Sequence, residues 1–136
     1  MSTTEQTLGM KVVLNTTFDD AIARVTEALK AEGFGVLTEI DVKATMKKKL
    51  DEDYRPYTIL GACNPSLAHR ALSIDRDIGM LLPCNVVVSE LDDDTVQVGM
   101  IDPLVMLGVV ASPEIAPVAD DARARLERVK QALESS

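Results

Sequence analysis

The sequence predicts a single α+β domain built as a mostly antiparallel sheet with helices on one face. Three observations predict it. The chain has 136 residues, the size of one domain, at which roughly two-thirds of the unfolded surface can be buried on folding. Several short segments alternate apolar and polar residues with the period of a strand, and two well-separated segments carry apolar stripes at helical spacing. No internal repeat or low-complexity linker interrupts this order, so residues 1–8 read as a polar, flexible N-terminus and residues 9–136 as one domain.

Met10 to Leu14 reads as the first strand. Thr17 is placed as an N-cap with Asp20 at the third helical position, and Phe18, Ile22, Val25 and Leu29 then recur at helical spacing until Gly33 supplies the stop. Phe34, Val36, Thr38, Ile40 and Val42 alternate with their neighbours, which predicts a second strand buried mainly on one face. Residues 43–52 have the charge of a short surface helix, with only Ala44, Met46 and Leu50 as apolar anchors. Its Lys47-Lys48-Lys49 run is followed at once by Asp51, Glu52 and Asp53, and reads as a solvated, internally compensated face.

Strand character returns from Tyr57 to Cys63. Asn64-Pro65 is a good helix start, because Asn caps and Pro loses no hydrogen bond in the first turn, and Leu67, Ala68, Ala71 and Leu72 share one helical face. Ile78 to Pro83 is read as a loop or turn of helix leading into a strand centred on Val86-Val87-Val88. Asp92-Asp93-Asp94 reads as a turn, with Thr95 to Met100 resuming alternation. Ala119, Ala122, Leu126, Val129 and Leu133 form a clean stripe on a charged C-terminal helix. The order is strand, helix, four strands, helix, with smaller helices in the second and third connections.

Composition bounds the function. The formal charge of −8 disfavours a phosphate backbone, so nucleic acid is not an expected partner. The longest apolar stretch, residues 104–111, is too short to span a bilayer, and the N-terminus lacks the basic start and apolar stretch of a secretory signal. A cytoplasmic protein with reduced cysteines is therefore expected. A Gly-rich phosphate loop, a Gly-x-Ser-x-Gly elbow and a second histidine are all missing, so no cofactor is evident.

The run Gly61-Ala62-Cys63-Asn64-Pro65, with Leu67-Ala68, Ala71-Leu72, Ile78-Gly79 and Leu81-Leu82-Pro83-Cys84-Asn85-Val86-Val87-Val88, resembles the bacterial and archaeal domain-of-unknown-function family 302. The similarity extends from about residue 10 to 134. The resemblance implies a TATA-binding-protein-like β-α-β(4)-α fold, commonly assembled as a homodimer, and implies no reaction. The chemistry must therefore be argued from individual positions.

The most loaded positions are the two Cys-Asn steps, Cys63-Asn64 and Cys84-Asn85. If their strands pair antiparallel, the end of one lies beside the start of the other. Cys63 precedes a helix start, where the dipole and free N–H groups favour a thiolate, and His69 lies one turn further in. Cys63, Asn64, His69, Cys84 and Asn85 are thus the candidate edge for a small ligand, and Cys63, His69 and Cys84 the candidate ligands for a soft metal such as Cu(I) or Zn(II). The spacing matches no known metal signature.

Other readings of the same residues stay open. Cys63 is a candidate nucleophile or redox thiol, with no acidic orienter beyond Asp75 or Asp77. Both cysteines also fit as small buried hydrophobes and both asparagines as structural caps. A different class of function rests on residues 101–110, apolar enough to form a homodimer interface, a pocket lid or an interaction module, with Met100 and Met106 as adaptable contacts.

Overall fold

A computed structural model of the chain describes residues 8–135, so all but Leu8 of the expected flexible N-terminus lies outside the described residues. The elements are β1 (Gly9–Leu14), α1 (Phe18–Ala31), β2 (Gly35–Asp41), α2 (Val42–Leu50), β3 (Tyr57–Cys63), α3 (Pro65–Ile74), β4 (Cys84–Asp92), β5 (Thr95–Ile101), α4 (Pro103–Met106) and α5 (Ile115–Glu134), with 3₁₀ turns at Arg76–Leu81 and Leu107–Val109. The five strands form one antiparallel sheet in the order β1-β5-β4-β3-β2. The expected α+β class and strand-helix order are those of the protein.

Helix α1 begins where Thr17 accepts the Asp20 N–H at 3.2 Å, and the chain leaves it at Gly33, whose φ of +86° suits a residue without Cβ. Carrying the chain between the two sheet edges, it packs Ala21, Val25 and Leu29 beneath the strands. Alternation does the rest: Val12, Leu60, Val86, Val88, Val96 and Val98 point to the same face, where Leu126, Val129 and Leu133 of α5 complete the core. Each such fully buried aliphatic chain contributes roughly 1.5–3 kcal/mol of transfer free energy. A second, smaller cluster joins Leu67 and Ala71 of α3, Ile78, Leu107 and the N-terminal half of α5. The Asp92 to Thr95 turn closes as expected, with Asp94 in the left-handed region at φ 58°.

Two expectations are corrected. β2 is not buried along one face: it is an edge strand whose residues are exposed apart from a half-buried Val36. A register shift between Val36 and Thr38 moves Thr38 and Ile40 to the face away from the helices, opposite Gly61 and Ile59, and leaves Leu37 69% exposed. Met100 is not a contact residue, because its place in β5 points it into the main core. Residues 101–110 divide between interior and surface. Asp102 accepts the Leu104 N–H at 2.9 Å and pairs with Arg123 at 3.2 Å, Pro103 and Leu107 are buried, and Leu104 and Val109 face outward.

Among the described residues, no helix is long and apolar enough to cross a membrane. Lys47 pairs with Asp51 at 3.0 Å and Asp53 at 3.4 Å, as the compensated charge run predicts.

Candidate functional site

The two hydrophobic clusters do not close completely against each other. A cavity of about 320 Å³ remains between them, bounded by the end of β3, the bulged part of β2, α3, the start of β4, α4 and α5. It exists because α3 leaves the sheet at Asn64 and returns only at Cys84, while α4 and the first turns of α5 form the opposite wall. Exposure grades the wall. Leu37 and Leu72 are open to solvent and mark the mouth, whereas Phe34, Ala62 and Leu107 are buried and form the floor.

Asn64 is placed by its own hydrogen bonds. Its Oδ1 accepts the Leu67 N–H at 3.2 Å, capping α3, while its Nδ2 donates to the Glu32 carbonyl at 3.3 Å. Arg125 donates to the same carbonyl at 3.0 Å and to Asp121 at 2.9 Å. The Asn64 amide is therefore committed to tying α3 to the end of α1. Cβ-less Gly61 lets the Thr38 side chain lie across β3, since an added methyl would meet Thr38 Oγ1 and come within 2.9 Å of Pro83 Cγ.

The two cysteines are both unpaired thiols at different depths. Cys63 is partly exposed toward the mouth; Cys84, only 8% exposed, lies on the floor. Burial pushes the Cys84 thiol up to about 11, and the neighbouring Cys63 adds to the rise. Cys84 is thus a neutral S–H at physiological pH. Register places Ala62, rather than Cys63, opposite Cys84, so the two thiols are one residue out of phase on adjacent strands.

The expected strand-end neighbourhood is present, but it gathers fewer side chains than the sequence reading assembled. Cys63, Asn64 and Cys84 line the cavity; His69 and Asn85 do not. His69 is exposed because it lies two residues, about 200° of helical rotation, from the inward-facing Leu67. Asn85 follows Cys84 in an extended strand and therefore points to the opposite sheet face, where it stands across from Gly61. Asp75 is occupied in accepting the Asp77 N–H at 2.9 Å, and neither aspartate lines the cavity. Among the described residues, no group of three or more His, Cys, Asp or Glu side chains is placed to hold a metal ion.

The structure also brings to the cavity residues to which the sequence gave no site role: Phe34, Thr38, Val118 and Ala122. Val118 had no signal of its own, and Ala122 read only as part of an amphipathic stripe. Met106 and Leu107, with Pro103, also line the wall. Among the described residues, no ionisable side chain apart from the two thiols lines this space. Such a wall suits a neutral apolar molecule held by shape, with the two thiols as polar contacts.

Comparison with known proteins follows the same lines as the fold. The family described as "Domain of unknown function DUF302" matches residues 10–133. The crystal structure of an uncharacterized conserved DUF302 protein from Bacillus stearothermophilus is similar at a TM-score of 0.85 and 31% sequence identity, covering 94% of this chain and 99% of that one. No curated protein matches the chain.

Proposed function

The chain belongs to the DUF302 family, and on that footing we propose that it is a noncatalytic cytoplasmic protein that binds a small, neutral, apolar molecule in the cavity between its two cores. The observation that carries this reading is the cavity itself. Its volume of about 320 Å³ is within the range of small-molecule sites, and its wall is apolar with a few convergent polar groups. Taking about 30 Å³ per water, it has room for a ligand of roughly ten non-hydrogen atoms. A soft metal at Cys63 and Cys84 has less support, because His69 faces away and supplies no third ligand.

Isothermal titration calorimetry with ethyl pentyl ketone, a neutral probe of this size, tests the proposal. One saturable site with a negative heat-capacity change is expected, weakened at least about tenfold in Ala68→Phe, which fills the space from α3. Absence of saturable binding would overturn it.

The same proposal includes a homodimer. The long helices α1 and α5 both pack on one face of the sheet, while the other face carries exposed Val13 and Ile40 beside partly buried Ile59 and Val87. A self-associating face of this kind would cover the apolar residues that the helices leave open.

A further inference from the structure

We propose that the cavity selects α,β-unsaturated carbonyl compounds, apolar enones and enals, and that Cys63 captures them by conjugate addition. This deepens the binding reading above and rests on it. Two thiols on the wall of an otherwise apolar cavity set the chemistry, because both sulfurs are soft and neither is locked in a disulfide. Their depths divide the labour. Cys63, partly exposed near the mouth, is the sulfur that an incoming molecule meets. Cys84 is 8% exposed on the floor, with no hydrogen-bond partner for its S–H among the described residues, and burial keeps that proton in place at neutral pH.

The step balances without a co-reactant. The Cys63 sulfur forms a bond to the β-carbon, the carbon–carbon double bond becomes single, and its electron pair moves onto the carbonyl oxygen as an enolate. The proton lost from Cys63 ends on the α-carbon. Cys84 donates a hydrogen bond to the carbonyl oxygen and keeps its own proton, stabilising charge where it develops. Holding the alkyl tail in the cavity converts a bimolecular encounter into an intramolecular one, which favours apolar electrophiles over small polar ones. Both thiols are free in the structure, and register pairs Cys84 with Ala62 rather than with Cys63.

The test uses the full chain, pentyl vinyl ketone and acrylamide as electrophiles, and intact-mass spectrometry with peptide mapping, each rate normalised to that of glutathione. The expected result is a single adduct on Cys63 and a normalised preference for the ketone of at least about tenfold. Cys63→Ser should abolish that adduct, and Cys84→Ala should slow ketone addition several-fold. Ala68→Phe, or the surface variant Leu72→Trp at the mouth should the first fail to fold, should bring the preference down toward that of glutathione. A normalised preference near one, or first addition at Cys84, would overturn the proposal. Calorimetry with the unreactive ethyl pentyl ketone separates the two readings: saturable binding without preferential alkylation sinks only the role of Cys63, whereas loss of both sinks the cavity as a binding site.

Discussion

At the scale of single residues, the site depends on side chains held in unusual surroundings. Cys84 is the clearest case, since burial raises its folded pKa from 9.0 to about 11. The native state therefore prefers the neutral thiol. A group whose folded pKa is raised stabilises the fold fully below its unfolded value and loses that contribution as pH rises toward the folded one. Between pH 9 and about 11 the wild-type protein should lose on the order of 2 kcal/mol more stability than Cys84→Ala, as read by urea unfolding across that range. Parallel pH profiles for the two proteins would show that Cys84 is not desolvated in the fold. Gly61 acts differently: its importance lies in an absent Cβ, which allows Thr38 and Pro83 to close over β3 beside Cys63.

At the scale of elements, the decisive junction is the one between β3 and α3. Asn64 performs two tasks there, accepting from Leu67 and donating to Glu32, and is itself buried. Removing both in Asn64→Ala should cost about 2 kcal/mol, combining a lost cap with one lost hydrogen bond to the Glu32 carbonyl, which Arg125 still satisfies. Asn64→Asp retains the cap acceptor and should lose less. Urea midpoints at constant slope check both, and an alanine variant within about 0.5 kcal/mol of wild type would contradict the assignment. The N-cap was legible from Asn64-Pro65 alone, since capping is a local property of consecutive residues. The partner Glu32 was not, because the contact joins residues 32 positions apart. Nor was the β2 irregularity: alternation predicts which residues share a face only while the register is unbroken, and edge strands tolerate a break.

At the scale of the whole molecule, the cavity is a seam. The main core forms under the sheet, the second between α3, the 3₁₀ turns and α5, and α5 contributes residues to both. A ligand seated between them would link two packed units that otherwise meet through α5 and the end of β3. The exposed sheet face leads to the remaining prediction, that the protein sediments as a dimer at micromolar concentration and that Val87→Glu shifts it to monomer. Sedimentation velocity checks this, and a wild-type monomer at every concentration would refute it. Net charge of −8 on each copy opposes that association, so added salt should strengthen it.

What the sequence determined by itself was everything that rests on near neighbours. The periods of Val86-Val87-Val88 and of the Ala119 to Leu133 stripe, the caps at Thr17 and Asn64, and the Asp92 to Asp94 turn are consequences of backbone geometry and local hydrogen bonding. The antiparallel neighbourhood of the two Cys-Asn steps was legible too, because their strands are consecutive in the sheet. Which side chains of those steps meet was decided only by the tertiary structure. Pleat phase sends Cys84 into the cavity and Asn85 to the opposite face, and helix rotation turns His69 outward. The cavity has walls from five separate stretches of chain, so no local pattern could announce it. It arises from the failure of two cores to close on each other, a property of packing rather than of any segment.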